Sequence, residues 1–245
     1  MLGLVRSDRV GSVLVSANGC MKMIEREFDA IIFDCDGTLV DSEPITVKVL
    51  IDFVREFSLE LSYDDALPLF VGRDMPAILA VLESWMNSKL PTTFSEEFRA
   101  RQATALREDL TAISGAHDLL DSLQRQFCVA SNAPQAKIEI NLTTTGLSSF
   151  FSPDTTFSAY DIKVWKPEPD LFLLAAESLG VAPENCAVIE DSLFGLKAGF
   201  AAGMQVFGYD PHQKLPTNLG PATMVRKLAE LNPLLGCAES QFETN

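Results

Sequence analysis

Four short apolar runs, each ending in polar residues, most constrain this chain. They are 29–33 (Asp-Ala-Ile-Ile-Phe), 127–130 (Phe-Cys-Val-Ala), 186–189 (Cys-Ala-Val-Ile) and 204–208 (Met-Gln-Val-Phe-Gly), with weaker runs at 155–158 and 223–225. Amphipathic helix patterns lie between them, near 115–126, 134–145, 168–179 and 193–202. A strand that is apolar on both faces must be covered on both faces. Such strands alternating with helices predict a parallel α/β sheet with helices on both sides. The chain has 245 residues and 47% hydrophobic residues, enough for a large core with an insert.

The stretch from about 44 to 111 carries helical periodicity and no strand signal. Val47, Leu50, Ile51, Val54 and Phe57, then Ile78, Leu79, Val81, Leu82 and Trp85, recur at three-four spacing. Ser62-Tyr63-Asp64-Asp65 reads as a helix start with an acidic first turn. Helices inserted after the first strand cannot lie within the sheet. The expected organisation is a Rossmann-like α/β core from 26–43 and 112–245, a helical cap at 44–111, and a flexible extension at 1–25.

Net charge is −15, and no Lys/Arg cluster offsets it. Nucleic acid and anionic membranes are therefore not expected partners, and an anionic substrate needs local cations. The five cysteines (Cys20, Cys35, Cys128, Cys186 and Cys237) form no C-x-x-C pair, which argues against a disulfide scaffold or a zinc site. Cys35, Cys128 and Cys186 read as small core residues of a cytoplasmic protein. No apolar run reaches the ~18 residues a membrane span needs, and Val13-Leu14-Val15 is short for a signal-peptide core. His117 and His212 read as surface or capping residues, and Trp85 and Trp165 as packing residues.

Chemistry is concentrated where the strands end. Asp34 and Asp36 follow the first run. Residues i and i+2 of an extended segment share a side, so two carboxylates converge and need a cation. Mg2+ suits them, because it takes hard oxygen ligands together with a substrate phosphate. Ser131 and Asn132 follow the second run, just before Ala133-Pro134 and a helix N-terminus that favours an anion. Lys166 precedes Pro167, which holds its backbone extended; the alternative is a surface lysine in a turn. Glu190 and Asp191 end the fourth strand, either as an acidic pair or as part of a helix cap with Ser192. Gly195, Ala198, Gly199, Ala201 and Ala202 would let the next helix approach the sheet, and Gly203 would end it.

Asp34-Cys35-Asp36-Gly37-Thr38, Ser131-Asn132, Lys166-Pro167 and Glu190-Asp191-Ser192 together resemble the haloacid dehalogenase (HAD) superfamily. The helical insert resembles the cap of its phosphoglycolate phosphatase and β-phosphoglucomutase group. The resemblance implies a phosphatase with Asp34 as nucleophile and Asp36 as general acid/base. It implies phosphate contacts from Thr38 and Ser131, with Asn132 beside them, and charge neutralisation by Lys166. It implies Mg2+ held by Asp34, the Asp36 carbonyl and Asp191, with Glu190 as a further candidate. Gly72 and Arg73 fall on a cap loop that in this group faces the site; Arg73 would clamp a second anionic group or is a surface arginine.

Departures separate the relatives. Asp36 argues against dehalogenases and phosphonate hydrolases. Mutases of the group carry a histidine where this chain has Thr46, which favours hydrolysis. Ser158-Ala159-Tyr160-Asp161-Ile162, Trp165-Lys166-Pro167, Asn185-Cys186 and Asp210-Pro211-His212 resemble bacterial 6-phosphogluconate phosphatases. The expected substrate is a small phosphorylated sugar or sugar acid. The expected state is a monomer or weak homodimer. Rival readings are a phosphosugar mutase, a phosphoglycolate phosphatase, and a non-enzymatic Mg2+-dependent phospho-receiver.

Overall fold

The computed structural model describes residues 13–15, 21–23, 28–70, 75–216 and 220–236. Strands β1 (Val13–Val15) and β2 (Met21–Met23) pair antiparallel with each other, apart from the main sheet. The rest of the N-terminal extension lies outside the described residues.

The main sheet has six strands: β3 (Ala30–Phe33), β4 (Gln126–Ser131), β5 (Thr156–Ser158), β6 (Cys186–Glu190), β7 (Gln205–Tyr209) and β8 (Thr223–Val225). Their order is β5-β4-β3-β6-β7-β8, and every pairing is parallel. Each corresponds to an apolar run of the sequence, within a residue at either end.

Side chains on the central strands alternate between two apolar layers. Ile31, Phe33, Val129 and Ile189 pack with Leu119, Leu120 and Ile138. These last come from α5 (Ala116–Ser122) and α6 (Gln135–Thr144). Ile32, Cys128, Ala130 and Val188 pack on the other face with Leu171, Phe172, Ala175 and Ala198. Those come from α8 (Asp170–Ser178) and α9 (Leu193–Ala201). A short α7 (Ala159–Ile162) follows β5. Burying each large side chain contributes about 1.5–3 kcal/mol, so the alternation fixes the register of the central strands. The small-residue face of α9 does bring it close: a Cβ on Gly199 would lie 2.7 Å from Val206 Cγ2.

The insert comprises α1 (Glu43–Arg55), α2 (Tyr63–Ala66), α3 (Met75–Met86) and α4 (Phe94–Asp109). It owns a third apolar cluster that includes Val47, Leu50, Phe53, Leu82, Phe94 and Phe98. Phe53 and Phe94 stack with centroids 4.5 Å apart. Ser62 accepts a hydrogen bond from the Asp65 N–H and starts α2. Trp85 departs from expectation: it is 48% exposed. Ile78 and Leu82 are buried on α3 and the partly buried Met86 packs against the same cluster, so Met86 rather than Trp85 continues the four-residue spacing. The two strands of chain entering and leaving the insert lie side by side. The Asp41 N–H donates to the Thr111 carbonyl at 3.1 Å, and the Ile113 N–H to the Leu39 carbonyl at 2.9 Å. This ties the helices to the sheet directly above the end of β3.

Candidate active site

Topology places the site. The chain runs outward from β3 to β4 and β5, then returns to β6 on the other side of β3. Ligands in open parallel sheets bind beyond the carboxyl ends of the strands where the order reverses. Phe33 lies level with Val129 and Ile189, so Asp34 and Glu190 emerge level, with Ser131 one residue further along β4. A cavity of about 770 Å3 opens there, between the sheet and the helical insert.

Asp34, Lys166 and Glu190 form its buried floor. Lys166 Nζ donates to Asp34 Oδ1 at 2.5 Å and to Glu190 Oε2 at 2.8 Å. The ammonium also lies 4.7 Å from the centre of the Phe172 ring. Glu190 Oε1 accepts the N–H groups of Asp191 and Ser192 at 3.2 and 3.0 Å. A Cβ on Gly195 would fall 1.8 Å from Glu190 Oε2, so only glycine leaves room for that carboxylate. Gly195 therefore serves the site as well as the packing of α9. Burial and the Glu190 charge push the Asp34 carboxyl up to about 8, against the opposing pull of Lys166. Burial alone would lower Lys166, but Asp34 and Glu190 outweigh it and keep the ammonium charged.

Carboxylate oxygens of Asp34, Glu190 and Asp191 lie within 4.8 Å of one another. Burial and the charges of Glu190 and Asp34 hold Asp191 well above the usual carboxylate range. Hard oxygens crowded around a single ammonium fit a divalent cation such as Mg2+. Thr38 Oγ1 donates to Asp191 Oδ1 at 2.9 Å. Gly37, at φ +87°, passes so close that a Cβ would lie 2.1 Å from Asp191 Oδ2.

Asp36 stands apart from this cluster. Its Oδ1 accepts from Lys137 Nζ at 2.5 Å, from Asn141 Nδ2 at 2.9 Å and from the Ser42 hydroxyl. Burial would raise its pKa, but Lys137 foremost, then the hydrogen bonds, hold it below the usual range. Cys35 between the two aspartates is buried. Its thiol is pushed up by burial and by Asp36 and Asp34, which disfavours a thiolate nucleophile.

The remaining expected residues divide. Ser131 is buried at the end of β4 and accepts the Ala133 N–H at 3.1 Å. Asn132 spends its carboxamide on Lys166: Oδ1 accepts the Lys166 N–H at 2.9 Å, and Nδ2 donates to the Lys166 carbonyl at 3.3 Å. It is thus a positioning residue for the lysine. Gly72 and Arg73 lie outside the described residues. Trp165 lines the cavity and packs edge-on against Tyr160. Lys137 and Asn141 were not anticipated. Nor was Gln102, whose buried amide donates to Thr46 Oγ1 at 2.9 Å.

Residues 31–209 match the family described as haloacid dehalogenase-like hydrolase, and the chain belongs to that family. It is an enzyme of the family's phosphatase kind. Among its relatives is the 6-phosphogluconate phosphatase of Escherichia coli (strain K12), 37% identical over 189 residues. That match covers 76% of this chain and 85% of the relative. A fructose-1-phosphate phosphatase of the same organism is 30% identical, covering 74% of this chain and 96% of the relative. A HAD family hydrolase from Deinococcus radiodurans R1, solved with bound phosphate and sodium, superimposes with a TM-score of 0.71 at 32% identity. The alignment covers 86% of this chain and 96% of that one.

Proposed function

We propose that this protein is a Mg2+-dependent phosphatase of a small phosphorylated sugar or sugar acid, similar in chemistry to 6-phosphogluconate. The observation that carries the reading is the buried Asp34–Lys166 contact of 2.5 Å at the mouth of β3, inside a cavity roofed by helices. Asp34 attacks phosphorus and becomes an aspartyl-phosphate. Lys166, fixed by Asn132 and Glu190, neutralises the nucleophile and the transferring phosphoryl group. Ser131 and the backbone at Thr38 hold phosphate oxygens. Asp36 protonates the leaving oxygen and then takes a proton from water. Asp34, Asp191 and the Asp36 carbonyl would hold Mg2+, with Glu190 close by. When bound, the cation supplies positive charge to the phosphoryl oxygens.

Thr46, tied to Gln102, offers no group that titrates near neutrality, which supports hydrolysis over mutase chemistry. The match to the E. coli 6-phosphogluconate phosphatase covers most of both chains, which supports the substrate class. Among the described residues no helix is long and apolar enough to cross a membrane, which is compatible with a cytoplasmic enzyme. Phosphate release from 6-phosphogluconate, fructose 1-phosphate, hexitol phosphates and phosphoglycolate, with and without Mg2+, tests the proposal. Mg2+-dependent release from the sugar or sugar-acid phosphates is expected. Conversion of a hexose 1-phosphate to its 6-phosphate without free phosphate would overturn it.

A further inference from the structure

The described cations lining the cavity are Arg99, Lys137, Lys163 and Lys166. Lys166 is committed to Asp34 and Glu190, and Lys137 to Asp36. Arg99 and Lys163 form no ion pair among the described residues. Two cavity-lining cations with no carboxylate partner among the described residues, one on the helical insert and one on the sheet side, stand out in a chain of net charge −15.

Arg99 is aimed by its helix. Arg99, Gln102, Ala103 and Leu106 line the cavity at i, i+3, i+4 and i+7, so one stripe of α4 forms the wall. Leu106 packs into the apolar layer of the sheet. Arg99 lies two turns away along the axis, about 10 Å toward the outer end. There it meets the sheet side of the cavity. Its Nη2 is 3.5 Å from the Tyr160 hydroxyl, and its guanidinium carbon lies 5.7 Å from the Tyr160 ring centre. Tyr160 is braced edge-on by Trp165, with centroids 5.5 Å apart. Lys163, one residue beyond α7, has φ +56°, a left-handed conformation uncommon for a residue with a side chain. Glu43 and Glu168 also line the cavity, but no ion pair joins either to Arg99.

We infer that Arg99, assisted by Lys163, binds a carboxylate at the end of the substrate remote from its phosphate, and so selects phosphorylated sugar acids over neutral sugar phosphates. The inference rests on the phosphatase reading above. A guanidinium suits a carboxylate because its planar fork can bond both oxygens.

The test compares kcat/KM of the wild type, Arg99→Met and Arg99→Lys on three substrates. These are 6-phosphogluconate, its neutral counterpart glucitol 6-phosphate, and p-nitrophenyl phosphate. The wild type should prefer the acid. Arg99→Met should lower the acid-to-neutral preference by about tenfold to a hundredfold, mainly through KM, as for one lost charge-assisted hydrogen bond. Arg99→Lys should restore part of it. Arg99 is exposed, so the variants should melt with the wild type. Equal losses on all three substrates, no loss, or a wild type without preference for the acid would each overturn the inference. A wild type that cleaves none of the three overturns the phosphatase reading and this inference with it.

Discussion

Replacing Lys166 with methionine removes one positive charge and keeps most of the volume. Lys166 is only 3% exposed, and its ammonium faces two carboxylates at 2.5 and 2.8 Å. Without it, Asp34 and Glu190 are buried like charges with no cation between them. Above the Asp34 titration at about 8, where both carboxylates are charged, breaking a buried ion pair by removing one partner costs about 3–5 kcal/mol. For a chain of this size that is a fall in Tm of roughly 6–20 °C. The loss must depend on pH. Asp34 already titrates at about 8 when folded, against an ordinary value of 3.8, and losing Lys166 raises it further. Below about 8 the Asp34 carboxyl holds its proton in both proteins and adds no deficit; above 8 it ionises beside Lys166 in the wild type but not in the variant, so the deficit grows as pH rises past 8. Urea melts of metal-free protein at pH 5.5 and 8.5 should therefore show a larger deficit for Lys166→Met at the higher pH. Phosphate release at pH 7 should fall by about 10²–10³ or more, because the transferring charge loses its partner. Equal deficits at both pH values, or near wild-type turnover, would refute the reasoning.

Three further outcomes follow from the same geometry. In metal-free wild type, the raised Asp34 and Asp191 carboxyls should make stability fall as pH rises from about 4 to 8; added Mg2+ should therefore raise Tm more at pH 8 than at pH 5, by differential scanning fluorimetry. Gly37→Ala adds a Cβ 2.1 Å from Asp191 Oδ2 at φ +87°; the backbone alone costs about 1 kcal/mol, and displacement of Asp191 should weaken Mg2+ binding by calorimetry. Lys137→Met removes the main cause of the lowered Asp36 pKa, so the limb of the pH–rate profile belonging to Asp36 should move to higher pH. An unmoved limb would separate Asp36 from the proton transfer.

The strands were legible because a strand covered on both faces must be apolar throughout, and 30–33, 127–130 and 186–189 obey that rule. Asp34, Ser131, Glu190 and Asp191 were legible because they close such runs, and Lys166 because Pro167 follows it. Lys137 and Asn141 were not, because their partner Asp36 lies 101 and 105 residues away. One signal was available: Asn141 interrupts Ile140 and Leu142 within a helix and is fully buried. Gln102 carried a stronger one, as the polar member of the row Phe94, Phe98, Gln102, Leu106. A polar residue in an apolar four-residue row needs a partner, and Thr46 supplies it. The role of Asn132 depended on where the Lys166 backbone passes, which its spacing in the sequence does not reveal.

Everything proposed for the site turns on Asp34 as the attacking group. The direct measurement is phosphate release by Asp34→Asn beside the wild type, with Mg2+ and with chelator, on a substrate the wild type cleaves. The amide cannot form the aspartyl-phosphate, so turnover should fall at least ~10³-fold while the variant stays folded. Acid-quenched wild type should carry its phosphoryl adduct on the peptide containing Asp34. Wild-type turnover by Asp34→Asn, or an adduct mapped to another residue, would contradict the account.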